Sequence, residues 1–278
     1  IGTANCSTFI FYTTILIPQL KEHSLLMRNV IQFLDHPSLI EDSQINSKKK
    51  TVDQNIAHKI RLEHVTFYYE GSHRPAINDV SLCICEGDKI AFAGENGAGK
   101  TTLLKLILRI YDPQEGRLYL DDIPYTEYDV HSLRNSIGVM LQNYDPFCFT
   151  IEENITQKNV LSEDEDTRAE EVVRSTKLDQ KIDQLPMRLK TVIGREFDEN
   201  GTDFSGGETE KLGIASVFYG NRGTIVMDEP SAHLDPNTAA FLYQQIMLFA
   251  RNKTLILVSH QLYSMKEMDC IYFLLFFF

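Results

Sequence analysis

The pattern of apolar and polar residues divides the chain into an N-terminal apolar stretch, a polar stretch and a long mixed region. Residues 8–17 form an apolar run with interspersed threonines, and Pro18 follows. A helix needs roughly 20 residues to cross a membrane, so we interpret this run as the cut end of a span or as a buried helix. From Leu20 to Leu34, apolar residues recur at helical spacing and predict an amphipathic helix that Pro37 ends.

The polar stretch is interpreted as a linker at residues 38–59. It includes three consecutive lysines, at positions 48–50. Two roles are open for them: contact with acidic lipid headgroups on the cytoplasmic side of a membrane, or a solvated charge run, which is common in linkers.

Beyond the linker, short apolar runs alternate with helical patterns. The predicted strands are residues 60–69, 80–85, 90–93, 137–141, 225–227 and 255–258, and the predicted helices include 101–110, 163–177 and 238–249. The last four strands are apolar throughout, which is typical of parallel strands buried on both faces. The alternation predicts an α/β fold with a parallel sheet, in a domain at residues 60–278.

Composition and charge narrow the class of protein. The 278 residues are 43% hydrophobic and 24% charged, which indicates a globular chain. The net charge is −12, from 27 Lys and Arg against 39 Asp and Glu. Such an acidic chain repels phosphate backbones, so we expect no nucleic-acid partner. The five cysteines are scattered and indicate free thiols in a reducing compartment.

Residues 94–101, GENGAGKT, match the phosphate-binding pattern G-x-x-x-x-G-K-[ST] between a predicted strand and a predicted helix. Glycines let the backbone approach phosphates closely, and the helix dipole favours an anion there. We expect Lys100 to contact the β- and γ-phosphates and Thr101 to bind Mg²⁺. The expected ATP-binding residues of this loop are Gly94, Glu95, Asn96, Gly97, Ala98, Gly99, Lys100, Thr101 and Thr102.

A second anchor is the apolar strand of residues 224–230, TIVMDEP, which ends in two carboxylates. Ligands of open α/β sheets bind at the carboxyl ends of the strands. We therefore expect Asp228 to hold Mg²⁺ and Glu229 to act as the general base on an attacking water. The simpler alternative is that two acidic residues begin a loop.

The segment FSGGE at residues 204–208 resembles the LSGGQ signature of ATP-binding cassette (ABC) proteins, and it lies between the two anchors as in that family. The resemblance extends from residue 60 to about residue 273. It implies a phosphate-loop NTPase (RecA-like) core, an antiparallel β-subdomain and an inserted α-helical signature subdomain at about residues 143–220.

The resemblance also implies roles for residues outside the two anchors. Tyr69 looks like the aromatic residue that stacks on adenine, with Tyr68 as the neighbouring candidate. Gln142 resembles the glutamine that senses Mg²⁺ and meets the membrane domain. Residues 231–235 are similar to the D-loop, and His260 resembles the switch histidine that contacts the γ-phosphate.

In this family two ATPase domains face each other head to tail, so the implied partner is a second copy or a paralogue. ATP would lie between the Lys100 loop of one domain and the signature of the other, and its hydrolysis would release the dimer. The residues expected to complete the site are Ser205, Gly206, Gly207, Glu208 and Asp235.

Two segments resemble those of exporters, residues 147–155 and 199–201. In such half-transporters the ATPase follows the last membrane helix, so we expect residues 1–37 to be the cytoplasmic end of that helix. The expected location is the cytoplasmic side of a membrane. Peptide, lipid and drug remain open as cargo, and the likeness of residues 194–201 to bacterial peptide exporters favours peptide.

The sequence departs from the family pattern in four places. Phe204 replaces leucine, Glu208 replaces glutamine, and residues 209–211 replace a more basic stretch that could affect contacts across the dimer. The apolar end at residues 271–278 suggests truncation or a frame change. His233 is taken as an ordinary residue at a position that the D-loop motif leaves free.

Two other functions compete with the exporter hypothesis. A soluble ABC ATPase of repair or translation is disfavoured by the membrane-like start, the acidic charge and the exporter-like segments. A nucleotide-binding remnant without turnover is disfavoured by the presence of both Glu229 and His260, but the unusual apolar end of the chain keeps this alternative open.

Overall fold

The computed structural model describes residues 2–35, 40, 49–142, 144–196, 198–259 and 265–275. The chain forms two compact units, Ile1–Asp42 and Ser43–Phe278. The first unit contains helix α1 (Gly2–Leu34), which is longer than the sequence predicted because it continues through Pro18. Proline removes one backbone donor, and here the flanking turns remain helical. Among the described residues, no helix has the length and apolar character needed to cross a membrane.

The second unit contains all the strands of the described chain. Its elements are β1 (Ile60–Phe67), β2 (Ile77–Ile84), β3 (Lys89–Gly94), α2 (Lys100–Ile107), β4 (Glu115–Leu120), β5 (Ile123–Pro124), α3 (Val130–Asn135), β6 (Ile137–Met140), α4 (Ile151–Thr156), α5 (Glu163–Ser175), α6 (Asp179–Ile182), α7 (Gly206–Gly220), β7 (Thr224–Asp228), α8 (Pro236–Phe249), β8 (Thr254–Val258) and β9 (Cys270–Leu274), with short 3₁₀ turns at Tyr125–Glu127 and Arg188–Lys190.

The strands form two sheets of different kinds. One is antiparallel in the order β2-β1-β4-β5, and the other is parallel in the order β6-β7-β8-β3-β9. The predicted α/β fold with its parallel and antiparallel parts is confirmed. Strands β4 and β5 were not predicted from the hydrophobic pattern, because only half of β4 is apolar and β5 has two residues. Strand β9 is apolar throughout, but most of it was interpreted as part of the apolar end at residues 271–278.

Strands β7 and β8 divide the core in two because successive side chains of a strand point to opposite faces. Ile225, Met227 and the leucines at 255 and 257 belong to a cluster that includes α4, α5, α7 and α8. Val226, Ile256 and Val258 belong to the other, which includes α2 and the antiparallel sheet. All these side chains are buried, which explains why both strands are apolar throughout.

The residues just before β1, assigned to the linker on sequence, are part of the second unit and are hydrogen-bonded to its other elements. The backbone N–H of Val52 donates to Oγ of Ser132 at 2.7 Å. The buried ring of His58 lies 2.7 Å from Oδ2 of Asp121. The N–H of Gly223 donates to the carbonyl of Gln54 at 3.0 Å. This segment therefore covers the start of β7.

We expect Gly223→Ala to destabilise the second unit, because a Cβ there would lie 1.8 Å from the carbonyl oxygen of Ile56. Forcing extra atoms into a packed site costs about 1–3 kcal/mol. Gly220→Ala is the matched control, since a Cβ there meets open space at the end of α7, and the control should be neutral or slightly stabilising. Urea denaturation measures both. Equal midpoints for Gly223→Ala and the parent would contradict this packing.

Candidate nucleotide site

The loop between β3 and α2 requires glycine at two positions. Gly94 has a φ of +142°, and a Cβ there would lie 2.3 Å from the carbonyl oxygen of Leu274 in β9. Gly99 has a φ of +92°, and a Cβ there would lie 2.5 Å from the carbonyl oxygen of Ala76. Both positions therefore exclude side chains, and this is the physical reason for the glycines of the phosphate-binding pattern.

The cation of this loop is buried within it. Lys100 is 6% exposed, and its Nζ donates to the carbonyls of Gly94 and Glu95, each at 2.8 Å. An ammonium group held at a helix N-terminus, beside a bent backbone, suits a phosphate group. Residues 95–97 of the loop are exposed, whereas Ala98 and Gly99 are buried.

A hydroxyl and a carboxylate meet where β3 and β7 end. Oγ1 of Thr101 donates to Oδ2 of Asp228 at 2.8 Å, and Asp228 is 1% exposed. Strand β8 lies between the two strands, and Val258 pairs with Asp228 on one side and with Phe92 on the other. Hydroxyl and carboxylate oxygens are the hard ligands that Mg²⁺ prefers, so this pair fits that cation.

Glu229 follows β7 in a left-handed backbone conformation, with φ of +51°. Its N–H donates to the carbonyl of Val258 at 2.9 Å, and its Oε2 accepts from Nε2 of Gln142 at 3.1 Å. Left-handed conformations are uncommon for residues other than glycine and cost about 1–3 kcal/mol. The strained turn directs the carboxylate to Gln142, which lies two residues after the end of β6.

Tyr69 lies beside the end of the phosphate loop. Its hydroxyl is 3.1 Å from Oγ1 of Thr102. Its half-buried ring meets those of Phe67 and Tyr111 edge to face, with centroids 5.1 and 5.7 Å away. Tyr68 instead uses its backbone to bond the side chain of Gln114. The contact with the loop therefore favours Tyr69 of the two candidates.

The signature segment begins helix α7. The Oγ of Ser205 accepts the N–H of Glu208 at 3.3 Å, and Oε2 of Glu208 accepts the N–H of Ser205 at 2.8 Å, which is a capping box. Glu208, the departure from the usual glutamine, is thereby given a role in the cap. Oε1 of Glu208 lies 3.7 Å from Nζ of Lys181.

The signature segment packs against residues 231–235, which we call the D-loop. A Cβ on Gly206 would lie 3.2 Å from the side chain of His233, and one on Gly207 would lie 2.9 Å from that of Leu234. Asp235 ends the loop and caps α8, accepting the N–H groups of residues 237 and 238. Hydrogen bonding from Thr238 holds the pKa of Asp235 below its ordinary value.

His233, taken as an ordinary residue on sequence, bonds a buried carboxylate of α7. Its N–H and its ring Nδ1 lie 2.9 and 2.8 Å from Oε1 of Glu210. The only sign of this contact in the sequence was that residues 209–211, which include Glu210, replace a more basic stretch of the family pattern. Its partner could not be inferred because 23 residues separate the two. His260 lies outside the described residues.

Comparison with known proteins agrees with this geometry. The family model of ABC transporters matches residues 77–232. A Bacillus subtilis protein, the uncharacterized ABC transporter ATP-binding protein YwjA, is 30% identical over 268 residues, which cover 94% of this chain and 45% of that protein. The ABC transporter ATM1 of Toxoplasma gondii is 35% identical over 201 residues, which cover 72% of this chain and 17% of that protein.

A solved structure gives the same result. The structure of a bacterial Atm1-family ABC exporter with ATP bound matches with a TM-score of 0.78 and 25% identity, over 91% of this chain and 42% of that one. The fold and the matched residues define a nucleotide-binding domain. The chain belongs to the ABC transporter family. It spans less than half the length of these relatives.

We expect Thr101→Ala to weaken ATP binding only when Mg²⁺ is present, because it removes the hydroxyl that meets Asp228. A contact to a charged group contributes about 1.5–3 kcal/mol, so the loss should be about tenfold or more. Thr101→Ser keeps the hydroxyl and should bind like the parent. Calorimetric titration of ATP with Mg²⁺ and with EDTA measures this. Equal loss in both conditions would contradict the assignment.

Proposed function

We propose that this chain is the ATP-binding and ATP-hydrolysing domain of an exporter, and that ATP hydrolysis there powers export of a substrate across a membrane. The observation that carries the proposal is the meeting of three motifs at one sheet edge. Thr101 contacts Asp228, and Gln142 contacts Glu229. Family membership supports nucleotide binding, and the likeness to an ABC exporter structure supports the coupling to export.

ATP binding would use the loop of residues 94–102. The backbone N–H groups and Lys100 would neutralise the phosphates, and the ring of Tyr69 would stack on adenine. Thr101, Asp228 and Gln142 would hold Mg²⁺. When bound, that cation neutralises charge on the phosphate oxygens.

The chemical step would depend on Glu229 as the general base. Its carboxylate would accept a proton from the attacking water, and Gln142, 3.1 Å away, would orient it. His260 would contact the γ-phosphate. The fixed turn at Glu229 suits this role, since a carboxylate that is already oriented loses little freedom in the transition state.

The complete site would need a second ATPase domain, identical or a paralogue. Ser205, Gly206 and Gly207 begin a fifteen-residue helix and are exposed or only half-buried. Their N–H groups can therefore approach the γ-phosphate bound to the loop of the partner domain, with Asp235 of the adjacent D-loop at the same interface. The residues around Gln142 would meet a membrane domain, with residues 1–37 as the end of its last helix on the cytoplasmic side.

We expect Glu229→Gln to lower the ATP hydrolysis rate by about a hundredfold or more while retaining ATP, because an amide cannot accept the proton. ATP should then hold two copies together. Phosphate release and light scattering measure the two effects, and the parent rate should rise steeply with protein concentration. Lys100→Ala serves as the control that binds no nucleotide.

Each failure of this test has a distinct meaning. A parent rate no higher than that of Lys100→Ala would contradict the ATPase proposal. A Glu229→Gln variant as active as the parent would contradict only the role of Glu229. An active parent that remains monomeric with ATP would contradict the shared site.

A further inference from the structure

The contact between helix α7 and the D-loop is centred on one buried carboxylate. Glu210 has a side chain that is 9% exposed, and its Oε1 accepts both the backbone N–H and the ring Nδ1–H of His233. Its other oxygen, Oε2, is buried without a hydrogen-bond partner in the part of the chain that the structure describes. A buried carboxylate is costly unless it is hydrogen-bonded, so the contacts with His233 are important for keeping it there.

Glu210 shares a helix face with the signature glycines. It lies three and four residues after Gly207 and Gly206, the spacing that places helical residues on one side. Those glycines pack against His233 and Leu234, because a Cβ added to either glycine would lie within 3.2 Å of one of these side chains. Glycines and carboxylate thus bind the same stretch of the D-loop.

The D-loop is also connected to the ends of strands β7 and β8, where Glu229 lies. It begins two residues after Glu229, and Oγ of Ser231 donates to the hydroxyl of Tyr243 at 3.2 Å. The same hydroxyl lies 3.1 Å from Oγ of Ser259, which follows β8. A shift of the D-loop would therefore move both Glu229 and the start of α7.

We propose that Glu210 and His233 form a positioning pair that holds Ser205–Gly207 at a fixed place relative to Glu229 and thereby sets the rate of ATP turnover. The inference rests on the proposed function. Neither residue is assigned a contact with ATP, so both act through the segments that they join. The pair thereby links Ser205–Gly207, which would contact ATP bound to the partner domain, to Glu229, the general base for ATP bound to the same chain.

The experiment compares substitutions that remove the contact with one that preserves it. Glu210→Ala removes the acceptor, Glu210→Gln keeps an oxygen at its place, and His233→Ala removes the ring but leaves the backbone donor. His64→Ala is the matched control. Its ring is also bonded to a carboxylate, Oδ1 of Asp79 at 2.8 Å, but that pair is exposed, at 82% and 68%.

Turnover and ATP affinity are measured for each variant with Mg²⁺ present. We expect Glu210→Ala to lower kcat about tenfold, with ATP affinity within twofold of the parent because the phosphate loop is untouched. Glu210→Gln should keep kcat within about threefold, and His233→Ala should lie between the two. The double variant should be no slower than Glu210→Ala, as expected for residues that act together.

Amide hydrogen exchange gives a readout that needs no hydrolysis. In Glu210→Ala, exchange should become faster at residues 206–209 and 231–235 and remain unchanged in β1. His64→Ala should leave both regions and kcat as in the parent. Should Glu210→Ala fail to fold, His233→Ala and Glu210→Gln supply the same comparison, since the His233 ring is 66% exposed.

Unchanged exchange at both segments would overturn the inference, whether or not the chain hydrolyses ATP. Faster exchange with an unchanged kcat would overturn its link to turnover, as would an equal loss in His64→Ala. A parent that exchanges as expected but hydrolyses no ATP would instead contradict the proposed function.

Discussion

The parallel register of β7, β8 and β3 is the constraint on which the candidate site depends. Val258 pairs with Asp228 on one side and Phe92 on the other, so the last residue of β7 lies level with a residue two positions before the end of β3. This is why Thr101 and Asp228, 127 positions apart in the chain, come within 2.8 Å. A register shift of one residue would exchange the side chains of a strand between two close-packed clusters, so packing on both faces keeps the strand ends aligned.

Several residues of the site have positive φ, a backbone conformation that is unfavourable for residues with a Cβ. Gly94 and Gly99 have positive φ, which glycine adopts freely. Glu229 also has positive φ, although its side chain makes this conformation unfavourable. The cost at Glu229 is offset by its hydrogen bond to Val258 and by the buried strands on either side. A rigid sheet thus holds the turns that carry the phosphate loop and the carboxylate.

Helix α7, which begins with the signature segment, is attached to the end of β7 through the D-loop. Gly206 and Gly207 allow the D-loop to lie against α7, and Glu210 bonds it there. The glycines of the signature therefore have two reasons to be small. They make room for the loop of their own chain, and under the proposed function they leave Ser205 and Gly206 accessible to the γ-phosphate of the partner domain.

The sequence by itself determined the class of fold, because strands buried on both faces must be apolar throughout, as in residues 225–227 and 255–258. It also determined the phosphate loop, whose glycines and lysine are close together in the chain. Only the tertiary structure decided that Tyr69 rather than Tyr68 contacts this loop, and that residues 52–58 belong to the second unit and are hydrogen-bonded within it. The same holds for the Glu210–His233 contact. Periodicity reports which face of an element is buried, whereas the partner of a polar side chain depends on the segments that packing brings beside it.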